Sequence, residues 1–173
     1  MAKQIPNAKD KIYSISKKYL FEKGYKGLTL RQVAAQCDIA VGTIYNYYPS
    51  KDILVASIMA EDWLVSLNAM QNACVTVPTV EQGVIAIYDA IREYANKYEP
   101  IWTEYKGMPN GFGQRHIMLR SQLSNLLAEL LERFGYEDDA EPCPLLAETV
   151  LACAMQKDIP YSMLAEMTGR LYP

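Results

Sequence analysis

Two short runs of helical spacing, separated by three residues and closed by a proline, constrain this chain more than anything else in it. Thr29 precedes Leu30, Val33, Ala34 and Cys37, the i, i+3, i+4, i+7 pattern of one buried helix face. Thr is a good N-cap, so a helix is predicted to start just after it. The run breaks at Asp38-Ile39-Ala40, a connection short enough to force the next helix across the first. The second run covers about Val41 to Tyr48, with Ile44 and Tyr48 turned inward onto Leu30 and Val33. Pro49 ends it, because proline lacks the N–H and restricts the residue before it. Ser50 then stands as the N-cap of a longer helix from Lys51. Helices this short cannot bury enough apolar surface alone. Ile12, Ile15, Tyr19 and Leu20, at helical spacing, supply a third wall, with Gly24 as the expected C-terminal stop. The layout is a three-helix head containing a helix-turn-helix, an arrangement suited to a DNA backbone.

Charge points the same way. Residues 1–54 hold nine Lys and Arg against four acids, a net of +5, whereas the remainder holds eight against sixteen, a net of −8. A basic head favours phosphate through counterion release, and an acidic body discourages nucleic acid from wrapping elsewhere. A chain of 173 residues, half of them apolar, fits one compact unit or a small head plus a body with a sizeable core. No stretch approaches the roughly 18 uninterrupted apolar residues of a membrane span, and the N-terminus lacks a signal-peptide apolar core. A cytoplasmic location with no membrane partner is the expectation. Cys37, Cys74, Cys143 and Cys153 have no CxxC or Cys/His pairing and read as buried thiols, with no metal or cofactor implied. His116 is the one histidine, so a His-based metal site or a Ser-His-Asp triad depends on a single residue. No paired carboxylates, nucleophile–base pair or phosphate-cradling glycine loop argues for an enzyme.

The head resembles that of the TetR-type transcriptional regulators. The residues that carry the likeness are Gly24-Tyr25, Thr29, Val33-Ala34, Gly42-Thr43-Ile44-Tyr45, Tyr47-Tyr48-Pro49-Ser50-Lys51 and Leu54. The match runs without gaps over about fifty residues, and Gly-Thr-Ile-Tyr followed by Tyr-Tyr-Pro-Ser-Lys is specific. The resemblance implies an all-α dimer, with a DNA-binding head over 1–50 and a helical effector-binding and dimerisation body over 51–173. It implies a repressor released from a near-palindromic double-stranded DNA operator by a small-molecule effector of unknown identity. By the same resemblance Thr29, Tyr45, Tyr47 and Lys51 would touch phosphates, while Arg31, Val41, Gly42, Thr43 and Asn46 would face base edges. The chemistry agrees: hydroxyls and an ammonium at helix N-termini suit phosphate, Arg pairs bidentately with guanine and Asn with adenine.

Two departures from the family pattern bear on this. Asp38 stands where the inter-helix turn usually has Gly, so a left-handed conformation is expected there at some cost. Ala40 and Val41 stand where a polar and often a basic residue open the recognition helix, which removes a cap and the base contact a basic residue would make there. The competing reading is a helical ligand-binding or protein-interaction module that has lost DNA binding.

Beyond Leu54 periodicity predicts helices over about 51–73, 79–98, 115–134, 144–157 and 160–171. Thr79-Val80-Glu81-Gln82 forms a capping box for the second of them. Residues 99–114, with two prolines and three glycines, should make one short helix at most and otherwise a loop, the expected entrance or gate. The last two helices are short and apolar; by the family resemblance they would form a homodimer four-helix bundle with a partner's copy, the other reading being that they close the monomer's own core. Trp63, Tyr88, Tyr94, Trp102, Tyr105, Met108, Phe112 and Met118 are candidates to surround an effector pocket, with Trp63, Tyr88, Trp102, Tyr105 and Met118 foremost. The same residues at this spacing also fit a plain core.

Overall fold

The caps and stops written into the chain set its helix boundaries. In the computed structural model, which describes residues 7–105, 112–136 and 143–173, Thr29 Oγ1 accepts from the Gln32 N–H at 3.3 Å, Ser50 Oγ from Ile53 at 3.1 Å and Thr79 Oγ1 from Gln82 at 3.2 Å. These three bonds open α2 (Leu30–Cys37), α4 (Lys51–Thr76) and α5 (Val80–Trp102). The remaining helices are α1 (Ala8–Gly27), α3 (Val41–Tyr47), α6 (Phe112–Arg133), α7 (Cys143–Met155) and α8 (Tyr161–Leu171), and no strand occurs among the described residues. Gly135, at φ 82°, closes α6, with the Tyr136 N–H reaching the Leu131 carbonyl at 3.0 Å.

Two expectations about α1 and α5 need correction. Gly24 does not end α1. It breaks the helix at φ 72°, ψ 177°, and one further turn follows to Gly27. α5 does not stop near Tyr98 but carries Pro100 inside its last turn and ends at Trp102. The buried side chains of Tyr98 and Ile101 hold that turn to its neighbours, which offsets the N–H that proline lacks. Residues 106–111 of the expected gate, including Met108, and the acidic link 137–141 lie outside the described residues. So does the side chain of Phe112.

The chain divides into two compact units. The first is drawn from Met1–Asp62 and Tyr98–Met108, the second from Trp63–Lys97 and Pro109–Pro173. In the first, Ile12, Leu20, Leu28, Val33, Ile44, Leu54 and Ile58 are fully buried, with Leu30 and Tyr48 nearly so. Ile44 and Tyr48 are thus core residues, as their spacing predicts. Asp62, in mid α4, is also buried and accepts from the Lys17 ammonium and, at 2.7 Å, from the Tyr98 hydroxyl. That polar hub interrupts α4, the one helix among the described residues long and apolar enough to cross a membrane.

In the second unit Trp63, Met70, Val84, Ile87, Ile91, Leu123, Leu127, Leu130 and Val150 belong to one apolar cluster. α5 and α6 approach closely at Gly83, where a Cβ would lie 2.5 Å from Leu130 Cδ2, so any side chain there would force Leu130 to move. Two arginines cap helix ends nearby. Arg133 donates to the carbonyls of Cys74 (2.6 Å) and Val77 (2.7 Å) at the close of α4. Arg92 donates to Gln156 O (3.1 Å) just beyond α7 and to the Tyr88 hydroxyl (2.9 Å).

All four cysteines are buried thiols, as their spacing predicts. Burial pushes the Cys74 thiol up to about 11, despite the opposing pull of Arg133. Native protein at neutral pH is therefore expected to be inert to an aromatic disulfide reagent, and unfolded protein to react at all four positions. Rapid release of even one equivalent of chromophore from folded protein contradicts this.

Candidate nucleic-acid interface

The helix-turn-helix closes through a backbone device. Asp38 adopts φ 58°, ψ 47°, the left-handed conformation expected of it. Its N–H reaches the Ala35 carbonyl and the Ile39 N–H the Ala34 carbonyl at 3.0 Å. This left-handed residue lets the chain reverse within three residues and sends α3 across α2. From the other side the Lys11 ammonium donates to Cys37 O at 3.0 Å, placing positive charge at the C-terminus of α2. Ala40 opens α3 without a side-chain cap, as its methyl group dictates.

The crossing leaves an open depression of about 730 Å³, lined by Thr29, Leu30, Arg31, Val41, Tyr45, Pro49, Ser50 and Lys51. The N-termini of α2 and α4 both contribute to it through their capping residues, Thr29 and Ser50. Its lining holds two cationic side chains and no acid, and neither α2 nor α3 has an acid in its first turn. Asp52, the one acid in the first turn of α4, accepts from the Tyr25 hydroxyl. Burial, and then that carboxylate, hold the Tyr25 phenol well above its ordinary range. Helix N-termini beside cations form a ready anion site.

Five of the nine residues expected to meet DNA line this depression: Thr29, Arg31, Val41, Tyr45 and Lys51. Gly42, Asn46 and Tyr47 are exposed on α3, and Thr43 is half-buried there. Tyr45 is 51% exposed, which places it outside the core. A Cβ built on Gly42 meets nothing within 4 Å, so the protein itself does not require glycine at this position. Leu30, Pro49 and Ser50 also line the depression and were not singled out for contact. Ser50 was legible as a cap, and a cap residue at a helix N-terminus is by that fact beside an anion site.

Lys51 is placed in a way its spacing does not announce. Its Nζ lies 2.9 Å from Tyr25 O and 3.2 Å from Leu28 O, and 3.9 Å from the centre of the Tyr25 ring. Tyr105 packs edge-on with that ring, centroids 5.2 Å apart, and Glu104 Oε2 accepts from the Lys26 N–H at 3.0 Å. That N–H is left without a helical partner by the break at Gly24, and the carboxylate caps the turn that follows.

The candidate effector residues are divided between the two units. Trp102 and Tyr105 belong to the first, where Trp102 stacks on Tyr98. Trp63, Tyr88 and Met118 belong to the second. There Trp63 is buried, with its indole N–H on Gln122 Oε1 at 2.8 Å and its ring edge-on to Tyr94. Tyr88 packs on Tyr161, and Met118 is exposed.

Comparison with known proteins bears on the same segment. Residues 12–58 match the family model described as "Bacterial regulatory proteins, tetR family". Over 40 residues, 23% of this chain, the sequence is 45% identical to the HTH-type transcriptional repressor KstR of Rhodococcus jostii and 42% identical to the KstR of Mycobacterium tuberculosis. The matched stretch spans 19% and 18% of those relatives, respectively. The fold as a whole is similar to solved structures. One is a putative transcriptional regulator from a Rhodococcus species, at TM-score 0.65 and 15% identity, with 94% of each chain covered. Another is a TetR transcriptional regulator from Legionella pneumophila, at TM-score 0.57 and 14% identity, covering 98% of this chain and all of that one. At these identities the likeness is one of fold.

Proposed function

We propose that this chain, whose N-terminal head belongs to the TetR family of bacterial regulatory proteins, is a sequence-specific DNA-binding transcriptional regulator. One observation carries the reading. The N-termini of α2 and α4 and the exposed face of α3 border a single open depression that holds Arg31 and Lys51 and no acid. A DNA phosphate sits at such helix N-termini, and α3 is then presented to the major groove with Arg31 and Asn46 in position to read guanine and adenine. The same observation disfavours an interaction module that has lost DNA binding, since an apolar protein interface has no use for a basic concavity.

The regulator acts as a homodimer on a near-palindromic operator. Exposed apolar side chains on α7 and α8 support this, with Leu145 at 73%, Met163 at 61% and Leu171 at 55% exposure. Two heads read successive major grooves only at one separation, of about one helical turn. A small-molecule effector that favours another separation weakens DNA binding by the factor by which DNA weakens effector binding, which is how a repressor is released. The protein works in the cytoplasm and needs no cofactor.

The test is selection of binding sites from a random double-stranded DNA pool, with Gly42→Leu as the control. Because nothing lies within 4 Å of a Cβ at position 42, this variant is expected to be at least as stable as the wild type, by up to about 1 kcal/mol, and yet enrich no site, its side chain filling the space the groove needs. Asn46→Ala is expected to weaken binding to the enriched site by roughly 1–3 kcal/mol and to relax the preference at one base pair. No enrichment by the wild type at low salt, or equal enrichment by Gly42→Leu, overturns the reading.

A further inference from the structure

We infer that Lys51 is a positioning residue for DNA binding and not a phosphate ligand, an inference that rests on the DNA-binding reading above. An ammonium carries three N–H donors and no acceptor. Two of those on Lys51 are directed at the carbonyls of Tyr25 and Leu28, at 2.9 and 3.2 Å, and the aromatic face of Tyr25 lies 3.9 Å from the nitrogen. Together these partners account for all three donors, while the side chain as a whole stays half-buried at the wall of the depression.

The two carbonyls are the decisive partners. They lie at the C-terminal end of α1, where helix carbonyls are unsatisfied and the partial charge is negative. The second of them belongs to the residue immediately before Thr29, the cap of α2. Lys51, the first residue of α4, therefore ties the start of α4 to the backbone that leads into α2. Its bonds set the relation between the two helix N-termini that border the depression. A phosphate is gripped by both only when that relation is fixed.

Tyr25 is the other half of the device. Its carbonyl and ring hold the ammonium, its hydroxyl donates to Asp52, and its ring meets that of Tyr105 edge-on. Lys51 thus acts on DNA through Tyr25 and Leu28. The two roles differ in how binding responds to salt. A lysine that neutralises a phosphate releases about one counterion, and its loss lowers the slope of log K against log salt by roughly 0.9. A lysine that only fixes the turn leaves that slope unchanged while affinity falls at every salt concentration.

The experiment measures DNA affinity from low to moderate salt, on the site enriched by the wild type, for full-length wild type, Lys51→Met, Tyr25→Leu and the double variant. Unfolding midpoints and amide exchange at Leu28 and Leu30 are followed alongside. Lys51→Met is expected to bind roughly tenfold more weakly at each salt, the worth of a charge-assisted hydrogen bond or two, with the wild-type slope. Exchange at Leu28 and Leu30 should quicken, and the double variant should be no weaker than the worse single one. A slope lowered by about one, with unchanged exchange and additive single effects, overturns the inference and makes Lys51 a phosphate ligand. Should Lys51→Met fail to fold, Tyr25→Leu alone carries the test. Its slope stays that of the wild type while its affinity falls if the pair acts by positioning, and its affinity is untouched if Lys51 reaches phosphate independently. Absence of any salt-dependent binding by the wild type is a separate result, which overturns the DNA-binding reading itself.

Discussion

Gly24→Ala is expected to lower the stability of the protein by about 3 kcal/mol, on the order of 6–12 °C in unfolding midpoint. Two costs combine. At φ 72°, ψ 177° the backbone occupies a region that only glycine enters freely, so any side chain there is strained whatever space surrounds it. The space is also taken. A Cβ would lie 3.1 Å from Glu104 Oε2, so the carboxylate must give way by a few tenths of an ångström, at the expense of its bond to the Lys26 N–H. Gly42→Ala is the matched comparison: it too adds one methyl group within a helix, but at ordinary φ and in open space, and should gain up to about 1 kcal/mol from helix propensity. Equal midpoints for the two variants in thermal melts would sink the argument.

Lys17→Met is expected to cost about 2 kcal/mol. Asp62 is 6% exposed, and its carboxylate accepts from the Lys17 ammonium and the Tyr98 hydroxyl, so α1, α4 and α5 are joined through one buried acid. Removing one partner of a buried pair strands the other charge, a loss of about 3–5 kcal/mol when both are enclosed. The Lys17 side chain is 33% exposed, so water replaces part of what is lost and the lower figure applies. Lys17→Met combined with Asp62→Asn keeps an acceptor for Tyr98 and removes the stranded charge, so the double variant should recover most of the loss. Denaturant melts of the two single variants and the double decide the matter. Strict additivity would show that the pair does not act as a unit.

What the chain discloses about itself depends on how far apart the interacting residues lie. Thr29, Ser50 and Thr79 each bond an amide three residues on, and the left-handed turn at Asp38 is closed by neighbours within five. Such features follow from local chemistry, and all of them were readable. So were the inward positions of Ile44 and Tyr48, which periodicity fixes. Gly24 was legible as special but not in the right sense. A glycine near a helix end reads as a stop, whereas here a carboxylate 78 residues away caps the turn beyond it and the helix resumes. Pro100 was misjudged for the same reason, since the buried side chains that hold its turn owe their burial to distant partners. Lys51 reads as a lysine at a helix N-terminus, and only the folded backbone shows that two carbonyls reach it first. The aromatic residues of the body were ambiguous in principle, because a pocket wall and a core share one composition. Trp63, with its indole N–H satisfied by Gln122 and its ring on Tyr94, has the surroundings of a core residue.

The first unit is assembled from two stretches of chain that lie 35 residues apart in sequence, one ending at Asp62 and the other beginning at Tyr98. On the ribosome this sets an order of events. When Asp62 emerges, α1, α2 and α3 can already pair, yet that carboxylate still lacks the phenol of Tyr98 and Lys26 the carboxylate of Glu104. At about 5–20 residues per second, those partners follow some 2–8 seconds later. For that interval the nascent head holds its local caps and its small apolar core, and the lysine pair of Asp62 alone offsets a carboxylate that later becomes buried. A gene fusion that cuts the chain just after the helix-turn-helix would fix the head permanently in that unfinished state.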